Sequence, residues 1–170
     1  MSRRFATTLA GVALSAPLAI TAPADAAALR TCRGTIANIV VSDSIRVPAG
    51  ASCTLRDVAA RGAVFVESGA TLIVTNSQVA RSVTSTGHRK VSIENTRVTG
   101  AVSLNKGGAI SILYSSFGAD ITLTANTKTG TKVLRGNGID GRLSCTLNAP
   151  APTGSLNSVR GGKFGQCKRV

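Results

Sequence analysis

Tryptophan is absent from this chain of 170 residues, and tyrosine and histidine occur once each, beside four phenylalanines. So few aromatic faces leave little with which to stack sugars or bases, which argues against tight single-strand or carbohydrate recognition. One histidine, His88, means that any Ser-His-acid set would have to be built around it. No C-x-x-C occurs, and His88 lies far along the chain from all four cysteines, so a zinc site is not expected. Acids are scarce too: seven Asp and Glu stand against twenty Lys and Arg, a formal charge of +13. No apolar run reaches the eighteen or so residues of a membrane-spanning helix, and no transmembrane segment is expected.

What is present begins with a targeting signal. Arg3 and Arg4 precede an apolar stretch, Leu9 to Ile20, and Ala24-Asp25-Ala26 supplies the small residues that a signal peptidase reads. Residues 1–26 are therefore predicted to be a cleaved secretory signal, with residue 28 as the alternative end. The product is expected to be secreted and extracellular. For such a protein the basic excess favours anionic extracellular or cell-envelope polymers as partners.

From Ile36 onward the sequence repeats every 19 residues. Ile36, Leu55, Val74, Ile93 and Ile112 form one column, and Ile45, Val64, Val83, Val102 and Ile121 a second. A third reads Val47, Val66, Ser85, Leu104 and Leu123, with Ser85 its one polar member. Within a unit, short apolar-polar alternations such as Val64-Phe65-Val66 and Leu72-Ile73-Val74 are separated by turn residues. A unit of this size cannot bury its apolar face alone, whereas stacked copies share a core. The expected fold is all-β: a single-domain, right-handed parallel β-helix of five to six coils over residues 29–147. Residues 148–170, with Pro150 and Pro152, are expected to be a capping tail without a central strand. An uncapped rod exposes unpaired backbone, so end-to-end or side-by-side self-association is a further expectation.

Four cysteines in an exported chain imply two disulfides. Coils stack at ~4.8 Å, and bridged Cα atoms must lie within ~7 Å. Cys32 therefore pairs with Cys53 at one end, and Cys145 with Cys167 at the other. Asn38, Asp57, Asn76 and Asn95 fall at 19-residue steps, with Tyr114 next, and are predicted to stack as an asparagine ladder at one corner. Gly50, Gly69 and Gly107 are predicted to supply positive φ at another corner. After Leu123 the period slips. Val133 and Ile139 continue the core only if two or three residues are inserted between Asn126 and Lys132.

The Val-Pro-Ala-Gly-Ala-x-Cys corner at 47–53, the V-x-V-x-x-G-A-x-L form at 64–72 and the Cys145…Cys167 tail resemble small exported β-helix proteins of high-GC Gram-positive bacteria. That group has no assigned activity, and the resemblance is architectural. More distantly the fold is similar to pectate lyases and polygalacturonases.

Catalysis is not expected. A glycosidase needs two carboxylates ~5–9.5 Å apart, and the period sets no two acids on adjacent coils in neighbouring columns. No catalytic residue, metal or cofactor is predicted. The strongest surface feature is the Gly87-His88-Arg89-Lys90 corner with Lys106 and Lys128 above it, predicted as an anion-binding ridge of His88, Arg89, Lys90, Lys106 and Lys128. The predicted function is a non-catalytic surface or matrix component that binds anionic polymers. The alternative is a polysaccharide-acting enzyme of pectate-lyase-like type.

Overall fold

The computed structural model describes residues 28–170; the expected signal segment lies outside them, apart from its alternative end at residue 28. The described chain is a β-solenoid of three parallel sheets, and each coil contributes one short strand to each sheet. Sheet 1 contains Leu29–Thr31, Ser44–Val47, Val64–Val66, Val83–Thr86, Val102–Asn105, Ile121–Thr124, Leu143–Thr146 and Lys163–Gly165. Sheet 2 contains Gly34–Ala37, Ser52–Arg56, Thr71–Thr75, Lys90–Glu94, Ala109–Leu113, Lys132–Arg135 and Thr153–Ser155. Sheet 3 is built from two-residue strands, Val40–Val41, Ala59–Ala60, Gln78–Val79, Arg97–Val98, Ser116–Phe117, Gly138–Ile139 and Ser158–Val159.

The 19-residue period is the pairing register itself. Leu55 pairs with Val74, Ile93 with Val74 and with Ile112, and Val83 with Val64 and with Val102. Alternation turns every second side chain inward, so these columns become vertical stripes of a common core; Leu55, Ile93 and Ile112 are fully buried. Each such aliphatic contributes about 1.5–3 kcal/mol against the cost of ordering the chain. Both expected disulfides are present, Cys32–Cys53 with a Cα separation of 5.6 Å and Cys145–Cys167 with 5.2 Å.

The structure corrects the sequence reading of the fold in four places. The described residues form about seven coils, not five to six, because the segment from residue 148, expected to be a capping tail without a central strand, adds another coil of strands at the end of the stack. Pro150 and Pro152 precede Thr153–Ser155, which is the last strand of its sheet, where missing donors do little harm. The cap proper is a 3-10 turn, Gln166–Arg169, which with Val170 brings Cys167 and the C-terminal side chain onto the core.

The second correction concerns the insertion. Ile112 pairs with Leu134, a step of 22 residues, so three residues are added; Val133 then pairs with Ser111 and faces outward, and Leu134 takes the core place. Lys132 pairs with Ile110 and so enters an aliphatic column, where it is 1% exposed.

The third concerns the ladder. Asn38, Asp57, Asn76, Asn95 and Tyr114 all have φ between 46° and 55°. This left-handed corner turns their side chains out to solvent. The buried ladder is one residue further on: Ser77 Oγ accepts from Val58 N–H, Thr96 Oγ1 from Ser77 N–H, Ser115 Oγ from Thr96 N–H, Asn137 Oδ1 from Ser115 N–H and Asn157 Oδ1 from Asn137 N–H. A second ladder lies between sheets 1 and 2. Asn126 Oδ1 accepts from Gly107 N–H at 2.8 Å, and its amide donates to Leu104 O and Asn148 Oδ1. Asn126→Ala is expected to cost about 2 kcal/mol, since it strands buried groups. Urea unfolding checks this, and an unchanged midpoint would mean that the ladder is dispensable.

The fourth concerns Gly107, which does not carry positive φ, whereas Gly50, Gly69 and Gly87 do. It is glycine for lack of room. A Cβ there would lie 2.1–2.4 Å from the His88 ring.

Candidate functional site

Call the turns between successive sheets corner 1–2, corner 2–3 and corner 3–1. The charged side chains divide unevenly among them. Corner 1–2, with the C-terminal 3-10 turn that continues it, carries Arg33, Arg89, Lys106, Lys128, Lys168 and Arg169 against one carboxylate, Glu67. Corner 3–1 carries Arg61, Arg81, Arg142 and Arg160 against Asp43, Asp120 and Asp140. Corner 2–3 carries only Asp57.

Pairing sharpens this difference. Glu67 is held by the Arg46 guanidinium and accepts the Ala49 N–H at 2.9 Å; Arg46, followed by that backbone donor, holds its carboxyl below the usual carboxylate range. At corner 3–1, Arg160 bridges Asp140 at 3.1 Å, and Asp120 accepts the backbone N–H of Arg142. Two cations of corner 1–2 contact neutral oxygens: Arg89 Nε donates to Thr71 Oγ1 at 3.2 Å, and Lys128 Nζ to Gly87 O at 3.0 Å. Their charge is left for something outside the chain.

Of the five residues expected on this ridge, Arg89, Lys90, Lys106 and Lys128 are exposed at or beside the corner. Lys128 does not stand in the Lys90 column. It rides on the inserted segment and reaches down to Gly87 in a coil two below. His88 is not on the ridge at all. Its side chain is completely buried, with Nδ1 3.2 Å from Ser85 Oγ and Nε2 without a partner. Burial, then the charges of Lys128 and Lys132, lower its pKa from 6.5 to about 4, so the ring is neutral at neutral pH.

Ser85 and Lys132 belong to this corner and were not on the predicted ridge. Ser85 interrupts an aliphatic column, and the room it leaves admits the imidazole. Lys132 Nζ donates to Lys128 O, Gly130 O and Ala149 O at 2.8–3.1 Å, pinning the inserted segment from beneath. Burial lowers the Lys132 pKa. The signal for both was a polar residue in an apolar column.

Corner 2–3 holds an open groove of about 880 Å³ along the outward Asp57, Asn76, Asn95 and Tyr114. Asp57 is the only carboxylate among the residues lining it. Among the described residues no group of three or more His, Cys, Asp and Glu comes together, and no helix is long and apolar enough to cross a membrane. A scan against protein-family models and searches of curated proteins and of solved structures find no match to this chain.

Proposed function

We propose that this protein is a secreted, non-catalytic component of the cell surface or extracellular matrix that binds anionic polymers along corner 1–2. The carrying observation is the imbalance of side chains at that corner, six cationic against a single carboxylate side chain that Arg46 already engages. Coils stack at ~4.8 Å, so Arg89, Lys106 and Lys128, from three successive coils, form a row that a linear polyanion can follow, its counterions released on contact. Two disulfides and the absence of a spanning helix among the described residues are compatible with an extracellular location. The resemblance to small exported β-helix proteins points the same way.

The test is retention of the purified protein on a polyanionic matrix under a salt gradient, beside an assay for released reducing or unsaturated sugar. Salt-sensitive binding without turnover is expected. Replacing Arg89, Lys90 and Lys106 by alanine is expected to lower affinity. It should also flatten the dependence of log K on log salt, by about 0.7–0.9 for each cation that no longer neutralises a phosphate-like charge. Binding that ignores salt would remove the proposal. The alternative, a polysaccharide-acting enzyme, would draw on the groove at corner 2–3, but the pair of carboxylates that glycoside hydrolysis uses is not available from Asp57 alone.

A further inference from the structure

The groove at corner 2–3 is built by the repeat itself. Three consecutive positions from each of four successive coils line it, so it runs along the rod. The first position is the left-handed corner residue, which points out. The second turns in and carries the buried ladder of Ser77, Thr96 and Ser115, and the third, on sheet 3, points out again. Two ridges with a trough between them result. One ridge is Asp57, Asn76, Asn95 and Tyr114; the other is Gln78, Arg97 and Ser116.

The floor is satisfied and the ridges are not. Ser77, Thr96 and Ser115 donate their hydroxyl hydrogens to Thr75 O, Glu94 O and Leu113 O. The side chains of both ridges are exposed, and none forms a hydrogen bond or ion pair among the described residues. Most are amides and hydroxyls, which both donate and accept as sugar hydroxyls do. Asp57 and Arg97 are the only charged residues lining the groove, and their charges cancel. Tyr114 closes the upper end. Gly136 follows it in the ridge, and a Cβ there would lie 2.7 Å from the nearest atom of the Tyr114 ring. The ring therefore rests against the backbone of the next coil, yet Tyr114 stays 53% exposed, a positioned apolar surface beside polar neighbours.

Spacing and charge select among linear ligands. Coils advance by ~4.8 Å, whereas an extended peptide repeats its facing groups only every ~6.6–6.8 Å and falls out of step. A nucleic-acid strand brings a negative charge at each step that a neutral groove does not offset. A chain of β-1,4-linked pyranoses is straight and uncharged and advances by close to one coil height per ring. Its rings alternate in facing, so their hydroxyls reach both ridges. We infer that corner 2–3 binds an extended, neutral β-1,4-linked glycan, one sugar to a coil, with a sugar face against Tyr114. This is binding without turnover, at a different corner from the polyanion surface, and it does not rest on that proposal. A single aromatic ring makes it weak.

Tyr114 is the only tyrosine and the chain has no tryptophan, so intrinsic fluorescence reports on this groove alone. The experiment titrates the whole protein with the β-1,4-linked tetrasaccharides of glucose and of N-acetylglucosamine, with tetragalacturonate, and with a neutral extended peptide of similar length. A saturable change with a neutral tetrasaccharide is expected, and the corresponding disaccharide should bind at least about tenfold more weakly, the value of one or more lost hydrogen bonds. Tyr114→Asn, which repeats at this left-handed corner the residue that Asn95 places one coil below, is followed by calorimetry and is expected to weaken binding about tenfold. Gln78→Ala, at an exposed strand position, is expected to weaken it about three- to tenfold while circular dichroism stays native. The variant carrying Arg89→Ala, Lys90→Ala and Lys106→Ala should bind the tetrasaccharide as the parent does, so the two proposals fail separately. No saturable change with either neutral tetrasaccharide, an equal response to tetragalacturonate or to the peptide, or natively folded variants that bind like the parent would overturn the inference.

Discussion

Lys132→Met is expected to lower the unfolding free energy by about 3 kcal/mol or more, although it places an apolar side chain of similar length in an apolar column. The reason is what the ammonium holds. Its three hydrogen bonds run to the carbonyls of Lys128, Gly130 and Ala149, two in the inserted segment and one in the stretch that leads into the last coil. Hydrogen bonds to a charged donor contribute about 1.5–3 kcal/mol each, with incomplete additivity. Methionine regains the cost of desolvating the charge and leaves three carbonyls to water that can reach them only if the segment opens. Urea unfolding followed by circular dichroism measures the loss. A variant as stable as the parent would show that the segment is held by its backbone alone.

Acidification from pH 6.5 to about 4 is expected to remove about 3 kcal/mol of stability through His88 alone. The folded ring titrates near 4 and the unfolded one near 6.5, so between those values the unfolded chain binds more protons. Stability is full above 6.5, falls as the pH drops through this window, and loses nothing more from this group below it. Each pH unit of displacement is worth about 1.4 kcal/mol. His88→Leu is expected to flatten the curve across this range. Glu67, whose pKa is lowered, contributes stability that is lost only as the pH falls below about 4.5, so above that value the slope belongs to His88. The check is a series of urea midpoints against pH for parent and variant. Parallel curves would show that His88 is not the titrating group.

The path of the chain was legible because packing repeats along it. Leu55, Val74 and Ile93 recur at one spacing, since parallel strands in register require it, and the cystine pairs followed from coil height. What the sequence hid lay where side-chain direction, not spacing, decides. Asn76 and Asn95 look like a ladder, but their left-handed backbone sends them outward, and the small polar column Ser77, Thr96 and Ser115 turns in instead. His88 looks like a surface residue, yet it stands 19 residues from Gly69 and Gly107 and 38 from Asn126, a column whose polar members point inward. The seventh coil was masked by steps of 22 and 20 residues and by a lysine where the core pattern calls for an aliphatic. The buried His88, the inserted residues and Lys132 lie at or beside corner 1–2, whereas the small polar column lies at corner 2–3.

The most direct test of the corner as a binding surface compares two variants of equal charge. In one, Arg89, Lys90 and Lys106 become glutamine; in the other, Arg61, Arg81 and Arg142 do, at corner 3–1. Their affinities for one polyanion are measured across a salt series. Loss of affinity and of salt slope in the first variant, with the second close to the parent, is the expected result. Equal losses in both would show that net charge alone governs binding and would contradict the account.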